Sequence, residues 1–468
     1  MHETTDWIDK TKGIILTSIL FLSIPFPLFA QDAQFLWNTR FSFSQEYDDN
    51  IVLSSENPID DHITRLRQSF DLGFLTEETE AHINFYLGYE FYQERSELNA
   101  INISLDLSGF KDIRVAENIL LDLDQSFYIS QDPIEPNATV VAVRDNRNLY
   151  ARNNTRINLI YQFGEEERLF WGLGNQFLQN EDRDVEDSTD FETFAGLSYR
   201  LGLRNGLDLS GSYNRARFSL LSPNYQTLQY RAAYLYQLTV DSRANLTYAD
   251  TDRDSDLDSA DYEIKSLSLG LSHRFSETMA GSASFGLSYQ TVDVESPDWN
   301  PSWSVSINKD YEKWTFSADV GEWRSDPAPG TSPRGFNGGF SLNRQFEFSE
   351  FSVGARSGFR EQYFEAENLG FSDFTSFNAN YSLDLTEDFT STFSASYRKD
   401  DYVQLIIPRE DQNWRIGASF SYQILEKLIA SLNFNHGERE STIETDNFKV
   451  NRAFLTFSIP YEGRPIDF

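Results

Sequence analysis

The sequence predicts an all-β fold, a transmembrane antiparallel up-and-down β-barrel of about 22 strands, within a range of about 18 to 24. Apolar and polar residues alternate with a period of two in successive runs from residue 76 to residue 427. This pattern is typical of strands that meet hydrocarbon on one face and water on the other. The connections between runs switch between very short and long. They predict short periplasmic turns at one rim and long acidic extracellular loops at the other.

The run from Leu228 to Val240 shows the alternation most clearly, since its tyrosines share one face and its glutamines share the other with Arg231. Runs 81–91, 266–275 and 413–422 repeat the pattern. A strand needs about 9 to 11 residues to cross an outer membrane, and these runs are long enough. Trp and Tyr residues near the ends of many runs predict the aromatic girdles of a barrel. A soluble β-sandwich, which would bury the same rings, is the alternative.

The short and long connections fix the order of the hairpins. The predicted short turns are residues 76–78, 110–112, 164–167, 203–205, 276–278, 312–313, 386–388 and 425–427. The predicted long loops include residues 180–190, 250–261 and 324–334. Because the strand count is even, both chain ends are expected on the periplasmic side.

Composition excludes several classes of protein. The chain of 468 residues has 39 Lys and Arg against 73 Asp and Glu, a net charge of −34, which argues against nucleic acid as a partner. With 39 Phe, 23 Tyr and 8 Trp, it is too aromatic for a disordered acidic protein. Cys is absent, which excludes disulfides, thiolate metal sites and acylation at cysteine.

Two segments are predicted: a signal peptide at residues 1–30 and a single outer-membrane β-barrel domain at residues 31–468. Lys10 and Lys12 precede the apolar stretch 13–29, which ends at Ala30 as in a secretory signal. An uncleaved anchor helix is the alternative, which Pro25 and Pro27 disfavour. The expected location is the outer membrane of a Gram-negative-type bacterium. The sequence shows no compact N-terminal domain that would plug a pore, so a siderophore-type transporter is not expected.

The side chains that face the lumen decide what a barrel does. At mid-strand they are predicted to be mainly Ser, Asn, Gly and Thr, which leave the interior hydrated. Arginines on the same face are candidates for solute selection: Arg65, Arg67, Arg152, Arg156, Arg231, Arg274, Arg356 and Arg415. One interpretation is a charged ladder or constriction that selects solutes. The other is a lattice of salt bridges with lumen acids that stiffens a wide barrel.

No catalytic residues and no cofactor are predicted, because no strand offers a clear pair of His with Ser, Asn or Asp. One acidic segment is a weak calcium candidate. Its acids are spaced as in a calcium loop: Asp252, Asp254, Asp256, Asp258 and Glu263. Leu257 stands where such a loop has Gly, and the segment lies between predicted strands instead of helices. A solvated loop is therefore the default interpretation.

The segment from Phe41 to Ile51 resembles the opening strand of a family of outer-membrane β-barrel porins associated with exopolysaccharide assembly and export loci. In that family an aromatic-alternating strand runs into a Tyr-Asp-Asn-Ile-like turn, as from Tyr47 onward here. The remaining chain resembles the family in its barrel pattern, its Arg- and Ser-lined strands and its terminal Phe468. The resemblance implies a role in polysaccharide secretion and recognition of the last strand by the barrel-insertion machinery. It supplies no catalytic residues.

The expected function is a porin-like outer-membrane channel for polar solutes that assists polysaccharide export. The alternative is a structural or surface-interaction barrel with an occluded lumen, and an outer-membrane hydrolase is a third hypothesis. The expected partners are outer-membrane lipid and lipopolysaccharide, the barrel-insertion machinery, and polysaccharide or export proteins.

Overall fold

Antiparallel strands form one closed sheet in the computed structural model of the chain. The structure describes residues 34–76, 79–130, 149–181, 186–220, 223–256, 261–292, 295–323, 335–364, 367–402, 409–463 and 466–467. The predicted signal peptide, residues 1–30, lies outside the described residues. Each strand pairs with its neighbours in sequence, and β1 (Gln34–Asp48) also pairs with β22 (Phe448–Glu462), which closes the sheet into a barrel.

The strands between these two contain 10 to 20 residues each. They are β2 (Asp61–Leu75), β3 (Thr79–Tyr92), β4 (Ala100–Ala116), β5 (Ile119–Ser130), β6 (Tyr150–Gln162), β7 (Arg168–Asn180), β8 (Ser188–Gly202), β9 (Asn205–Phe218), β10 (Tyr225–Thr239), β11 (Ser242–Ser255), β12 (Tyr262–Ser276), β13 (Met279–Val292), β14 (Glu295–Tyr311), β15 (Trp314–Trp323), β16 (Gly335–Gln345), β17 (Ser349–Phe364), β18 (Glu367–Thr386), β19 (Phe389–Tyr402), β20 (Arg409–Leu425) and β21 (Leu428–Ser441). A two-residue strand, β23 (Ile466–Asp467), pairs with the start of β1. The predicted all-β barrel of about 22 strands is confirmed.

Large apolar side chains cover the outward face of the barrel. On β12, Leu267, Leu269 and Leu271 are 51%, 60% and 48% exposed, and their partners across β13, such as Phe285, are exposed as well. Paired residues point to the same side of a sheet, so this face continues around the strands. An apolar surface of this extent is stable only against lipid. The alternative of a soluble β-sandwich, whose apolar face would be buried, is therefore excluded.

Tight turns of two to five residues follow the even-numbered strands, as in the connection 203–204 between β8 and β9. One predicted turn was wrong. Residues 110–112 lie inside β4, and the turn is at residues 117–118. The Phe-Lys-Asp sequence after Gly109 resembles a turn, but its residues continue the ladder with β5 up to Ala116. Two further tight turns lie at residues 240–241 and 346–348.

The connections at the other rim are shorter than expected in several places. Strand β7 continues to Asn180 and β8 begins at Ser188, so only residues 181–187 connect them. Strand β11 continues to Ser255, which leaves residues 256–261. Two connections at this rim, 293–294 and 365–366, contain only two residues. Because strands are longer than the membrane requires, their ladders extend beyond it and take up residues that the acidic composition had assigned to loops.

Helical structure among the described residues is limited to short 3-10 segments such as Ser96–Leu98 and Glu444–Asp446. No helix in the described part of the chain has the length and hydropathy needed to cross a membrane.

Candidate functional site: the barrel lumen

The alternation of each strand turns the predicted arginines into the lumen, where they fall into different environments. Arg65 and Arg67 lie on β2 next to carboxylates. Arg274 lies at the short-turn rim, with its Nε 3.3 Å from Asp241 Oδ1, and Arg415 is half-buried on β20. The remaining candidates, Arg152, Arg156, Arg231 and Arg356, are exposed to the lumen. Whether any of them selects solutes remains a prediction.

An ion-pair network joins the first and last strands at their extracellular ends. Arg452 Nε on β22 lies 2.6 Å from Asp48 Oδ2 on β1, and Arg65 on β2 contacts both Glu46 on β1 and Glu90 on β3, the latter at 2.9 Å. The carboxylates of Glu46, Asp48 and Glu90 are almost completely buried. Buried carboxylates are stable only when paired and hydrogen-bonded. The network therefore depends on these arginines.

Further buried ion pairs lie on the inward face of the last strands. Asp411 on β20 accepts hydrogen bonds from Arg409 Nε at 3.0 and 3.1 Å and from Arg439 Nη2 on β21 at 2.9 Å. On β19, Arg398 forms a bidentate pair with Asp400, with both distances 2.6 Å. Asp400 and Asp411 are also buried. We call the inward face of β18–β22 and β1–β3 at this end the ion-pair wall.

The segment that resembles the porin family stabilises this junction. Asn50 is buried, and its Nδ2 donates to the carbonyl oxygens of Ser54 at 2.8 Å and Lys449 at 2.9 Å. Asp49 accepts hydrogen bonds at 2.7 Å from both the backbone N–H and the Nδ2 of Asn451. Ile51 is fully buried in an apolar cluster with Ile63 on β2 and Tyr92 on β3. The motif therefore closes the extracellular end of the seam between β1 and β22.

The arginines of β6 and β10 have no such partners. Among the described residues, Arg152, Arg156 and Arg231 form no ion pair. The guanidinium of Arg156 instead lies 4.4 Å from the ring centre of Phe194 on β8. That ring lies over Gly172, where any side chain would overlap it. The ring is thus held flat against the barrel wall, and the cation above it faces the lumen.

Serines bonded to one another line the inward face of β13–β16, which we call the hydroxyl wall. Ser282 and Ser306 are 2.8 Å apart between their Oγ atoms, and Ser284 and Ser304 are 2.6 Å apart. Ser317 and Ser341 form a third such pair across β15 and β16 at 2.7 Å. Because these side chains are short, they leave the adjacent lumen open to water. The predicted small polar residues at mid-strand are found here.

A cavity of about 630 Å³ lies in the lumen wall formed by β5–β10, toward the extracellular end. Its lining combines an exposed cation, amides, a carboxylate and aromatic rings: Arg152, Asn154, Gln176, Asp190, Phe218 and Tyr225. A second cavity of about 530 Å³ lies at the short-turn rim of the same strands. Its cations, Arg168, Arg200 and Arg243, lie beside Glu166, with which Arg200 is paired. Both ends of this wall are therefore concave and polar.

The calcium candidates are not all in a loop. Asp252 and Asp254 belong to β11, where Asp252 faces Glu263 across the ladder with β12. Glu263 is itself paired with Lys265 Nζ at 2.6 Å. Asp258 lies outside the described residues. Among the residues that the structure describes, no group of three or more His, Asp or Glu is close enough to hold a metal ion. The expected loop at 250–261 was wrong up to Ser255, because the ladder continues to that residue.

One hydrogen-bonded pair of a serine and a histidine was not predicted from the sequence. Ser242 Oγ and His273 Nδ1 are 2.8 Å apart on the outward face of β11 and β12, near the short-turn rim. They are register partners across β11 and β12, 31 residues apart in the chain, so spacing alone did not reveal them. In the described part of the chain, no carboxylate or amide bonds the other nitrogen of His273 to complete a catalytic set.

Other lumen residues were also missed. Arg409, Arg439 and Arg452 carry much of the ion-pair wall. Part of the ion-pair wall could have been predicted from the sequence. Arg-Lys-Asp at 398–400 and Arg-Glu-Asp at 409–411 each place a cation and an acid two residues apart, on the same face of one strand. Cross-strand pairs such as Arg452 with Asp48 need the closure of the barrel, which spacing along the chain does not encode.

Comparisons with solved structures agree with the fold. The chain is similar to the ferric enterobactin receptor PfeA of Pseudomonas aeruginosa, with a TM-score of 0.54 and 9% identity over 91% of this chain and 81% of that chain. It is also similar to the siderophore receptor PirA of Pseudomonas aeruginosa (TM-score 0.52, 11% identity, 91% and 80% covered). The FrpB iron transporter of Neisseria meningitidis gives a TM-score of 0.52 at 9% identity, with 91% and 81% covered.

No family model matches the sequence, and the comparison with curated proteins gives no match. At identities of 9 to 11%, the likeness to the receptors concerns the fold. The chain is a closed 22-strand β-barrel of the outer membrane.

Proposed function

We propose that this outer-membrane barrel is a porin-like channel for polar solutes, with the lumen as a hydrophilic conduit. The observation that carries the proposal is the hydroxyl wall. Its serine hydroxyls form hydrogen bonds with one another across strands, with Oγ–Oγ distances of 2.6 to 2.8 Å. They therefore form a smooth polar surface without long side chains. Polar solutes and their water meet hydrogen-bonding groups along such a wall and lose little hydration.

Saccharides are the solute class that fits this lining, and the channel would assist the export of polysaccharide. Two observations support this finer role: the hydroxyl and amide groups of the lumen, and the resemblance of residues 41–51 to porins of exopolysaccharide loci. Proposed partners are the barrel-insertion machinery, lipopolysaccharide around the outward face, and polysaccharide or export proteins. No catalytic step is assigned to the barrel, since transport requires none.

A second candidate is a structural barrel whose lumen is occluded. The ion-pair wall favours it, because buried carboxylates paired with arginines stiffen a barrel without selecting anything. The two candidates differ in one measurable property. An open conduit carries ion current, and an occluded one does not.

The test is incorporation of the purified barrel into planar lipid bilayers. The channel predicts discrete current steps and passage of uncharged tri- and tetrasaccharides in a liposome-swelling assay. Absence of current from correctly folded protein would exclude the channel and favour the structural barrel. Ferric enterobactin serves as a competing solute, because a protein of similar fold is its receptor. Saturable binding of ferric enterobactin without saccharide passage would replace the saccharide proposal by a receptor function.

A further inference from the structure

We propose that the extracellular cavity of β5–β10 is a binding subsite for an acidic oligosaccharide, a chain of sugar rings that carry carboxylate groups. The proposal rests on the proposed channel function and deepens it, because it names the solute class and the place where the solute is held. Three features carry it: a row of side chains across the strands, an arginine that forms no ion pair among the described residues, and an aromatic surface beside it.

The polar row follows from the register of the strands. Asn154 on β6 faces Gln176 on β7, which faces Asp190 on β8. The row begins at Ser126 on β5 and, beyond Ala216 on β9, reaches Tyr225 on β10. With strands spaced by about 4.8 Å, six strands extend the row over roughly 24 Å. A single small anion would occupy a fraction of this length, whereas a chain of several sugar rings matches it.

Arg152 supplies the charge. It lies on β6 one inward-facing position from Asn154, in the cavity lining, and its side chain is exposed to the lumen. It forms no ion pair among the described residues. A guanidinium binds a carboxylate with two parallel hydrogen bonds, which makes it a specific partner for an acidic sugar. Most other cations at this end of the lumen, such as Arg409 in the ion-pair wall, are already neutralised by buried acids.

The aromatic surface is held in place by a neighbouring cation. Arg253 lies 3.7 Å from the ring centre of Tyr225, and the Tyr225 ring packs against Phe218 with 6.2 Å between ring centres. Phe218 and Tyr225 both line the cavity. The apolar C–H face of a sugar ring packs against such rings, while its hydroxyls reach the amides of the row. Tyr225 is thus positioned by Arg253 and does not need the ligand for its orientation.

The carboxylate of Asp190 is also held in one orientation by a neighbouring side chain. Asn214 Nδ2 lies 2.9 Å from each carboxylate oxygen of Asp190, which orients the carboxylate within the row. A carboxylate oxygen accepts hydrogen bonds from sugar hydroxyls but repels a second carboxylate. The carboxylate of the ligand is therefore expected near Arg152, and a hydroxyl-rich part of the ligand near Asp190. This separation favours a saccharide over an inorganic anion.

The experiment is titration calorimetry of the whole detergent-solubilised barrel with tetragalacturonate as the acidic probe and maltotetraose as the neutral one. We expect tetragalacturonate to bind and Arg152→Gln to weaken it by about tenfold, the value of one charge-assisted pair. The matched control is Arg231→Gln, which removes another exposed lumen arginine that forms no ion pair among the described residues and does not line the cavity. It should change binding by less than about twofold. Phe218→Ala should weaken the binding of both probes, because it removes one of the aromatic rings that line the cavity.

The proposal is overturned if wild-type protein binds both probes equally, or if Arg152→Gln and Arg231→Gln weaken tetragalacturonate to the same extent. Equal losses would mean a diffuse charge effect with no subsite. Calorimetry does not require conduction, so the two proposals fail separately. Absence of bilayer current excludes the channel, whereas absence of tetragalacturonate binding to a conducting barrel excludes only the subsite.

Discussion

Arginines lie in two contrasting environments in the lumen of this barrel. In the ion-pair wall, Arg398, Arg409 and Arg452 lie 2.6 to 3.1 Å from carboxylates that are almost fully buried. In the wall of β6–β10, Arg152 and Arg231 are exposed and form no ion pair among the described residues. The arginines of the ion-pair wall are bonded to carboxylates of the protein, whereas those of β6–β10 remain available to a solute.

The position of the paired set explains its role. The ion-pair wall includes the seam where β1 meets β22 and the barrel closes. Closure of a large loop costs chain entropy, so a seam needs contacts that favour the correct pairing. Buried ion pairs contribute little net stability over apolar contacts, but a wrong partner leaves a buried charge unpaired. We infer that this wall specifies closure and that the arginines of β6–β10 serve the lumen.

Removal of one buried acid gives the largest expected effect. Asp411→Ala would leave Arg409 and Arg439 without their shared carboxylate, and loss of one partner of a buried pair costs about 3 to 5 kcal/mol. Urea unfolding in detergent micelles, followed by the heat-modifiable mobility of the folded barrel, measures this loss.

Glu410→Ala is the matched control, because this neighbour lies on the opposite face of β20 and pairs with Lys399 in a partly exposed ion pair. Exposed pairs of this kind contribute little to stability, so Glu410→Ala should lower the unfolding free energy much less than Asp411→Ala does. Equal destabilisation by the two variants would contradict the distinction between the ion-pair wall and the outer surface.

The seam motif gives a smaller effect. Asn50→Ala removes two side-chain hydrogen bonds to backbone carbonyls and one from the backbone N–H of Ser54, and we expect a loss of about 2 kcal/mol. Asn57→Ala, in the same loop but exposed, should change the unfolding free energy by less than about 0.5 kcal/mol. If both variants unfold at the same urea concentration as the wild type, the motif does not stabilise closure.

The unpaired set is tested by ion selectivity. Arg231→Glu should shift the reversal potential in a salt gradient toward cation preference. The interaction between two unit charges at contact distance in water is worth about 1 kcal/mol. The ratio of cation to anion permeability should therefore change by about fivefold per unit charge. Arg204→Glu makes the same change of net charge in an exposed turn outside the lumen and should leave the reversal potential unchanged. Equal shifts in the two variants would remove Arg231 from the conduction path.

The sequence allowed the strands to be predicted because alternation with a period of two is local. Most strand starts, such as Asp61, Arg168 and Trp314, coincide with changes in that alternation. It failed at residues 110–112 and 250–255, where turn-like or acidic residues belong to strands that extend beyond the membrane. In these segments, hydrogen bonding to the neighbouring strand overrides the turn or loop propensity of the residues.

The candidate site was only partly predictable. The face of each arginine follows from alternation, which is how the eight candidates were assigned to the lumen, and their role in solute selection stays a prediction. Whether an arginine is paired depends on register across strands, as for Arg65 with Glu90 and Arg452 with Asp48. The row of Asn154, Gln176 and Asp190 likewise exists only after three strands are aligned. Spacing along the chain carries none of this information.

In the proposed channel, the inward face meets water along an open lumen while the outward face meets lipid. Since the chain has no Cys, single cysteines give an unambiguous signal. Ser284→Cys lies on the hydroxyl wall, and Phe285→Cys lies beside it on the outward face, where the native ring is 61% exposed. In proteoliposomes, a charged membrane-impermeant thiol reagent should modify Ser284→Cys rapidly and leave Phe285→Cys unmodified. Protection of Ser284→Cys, or equal labelling of the two positions, would contradict the account.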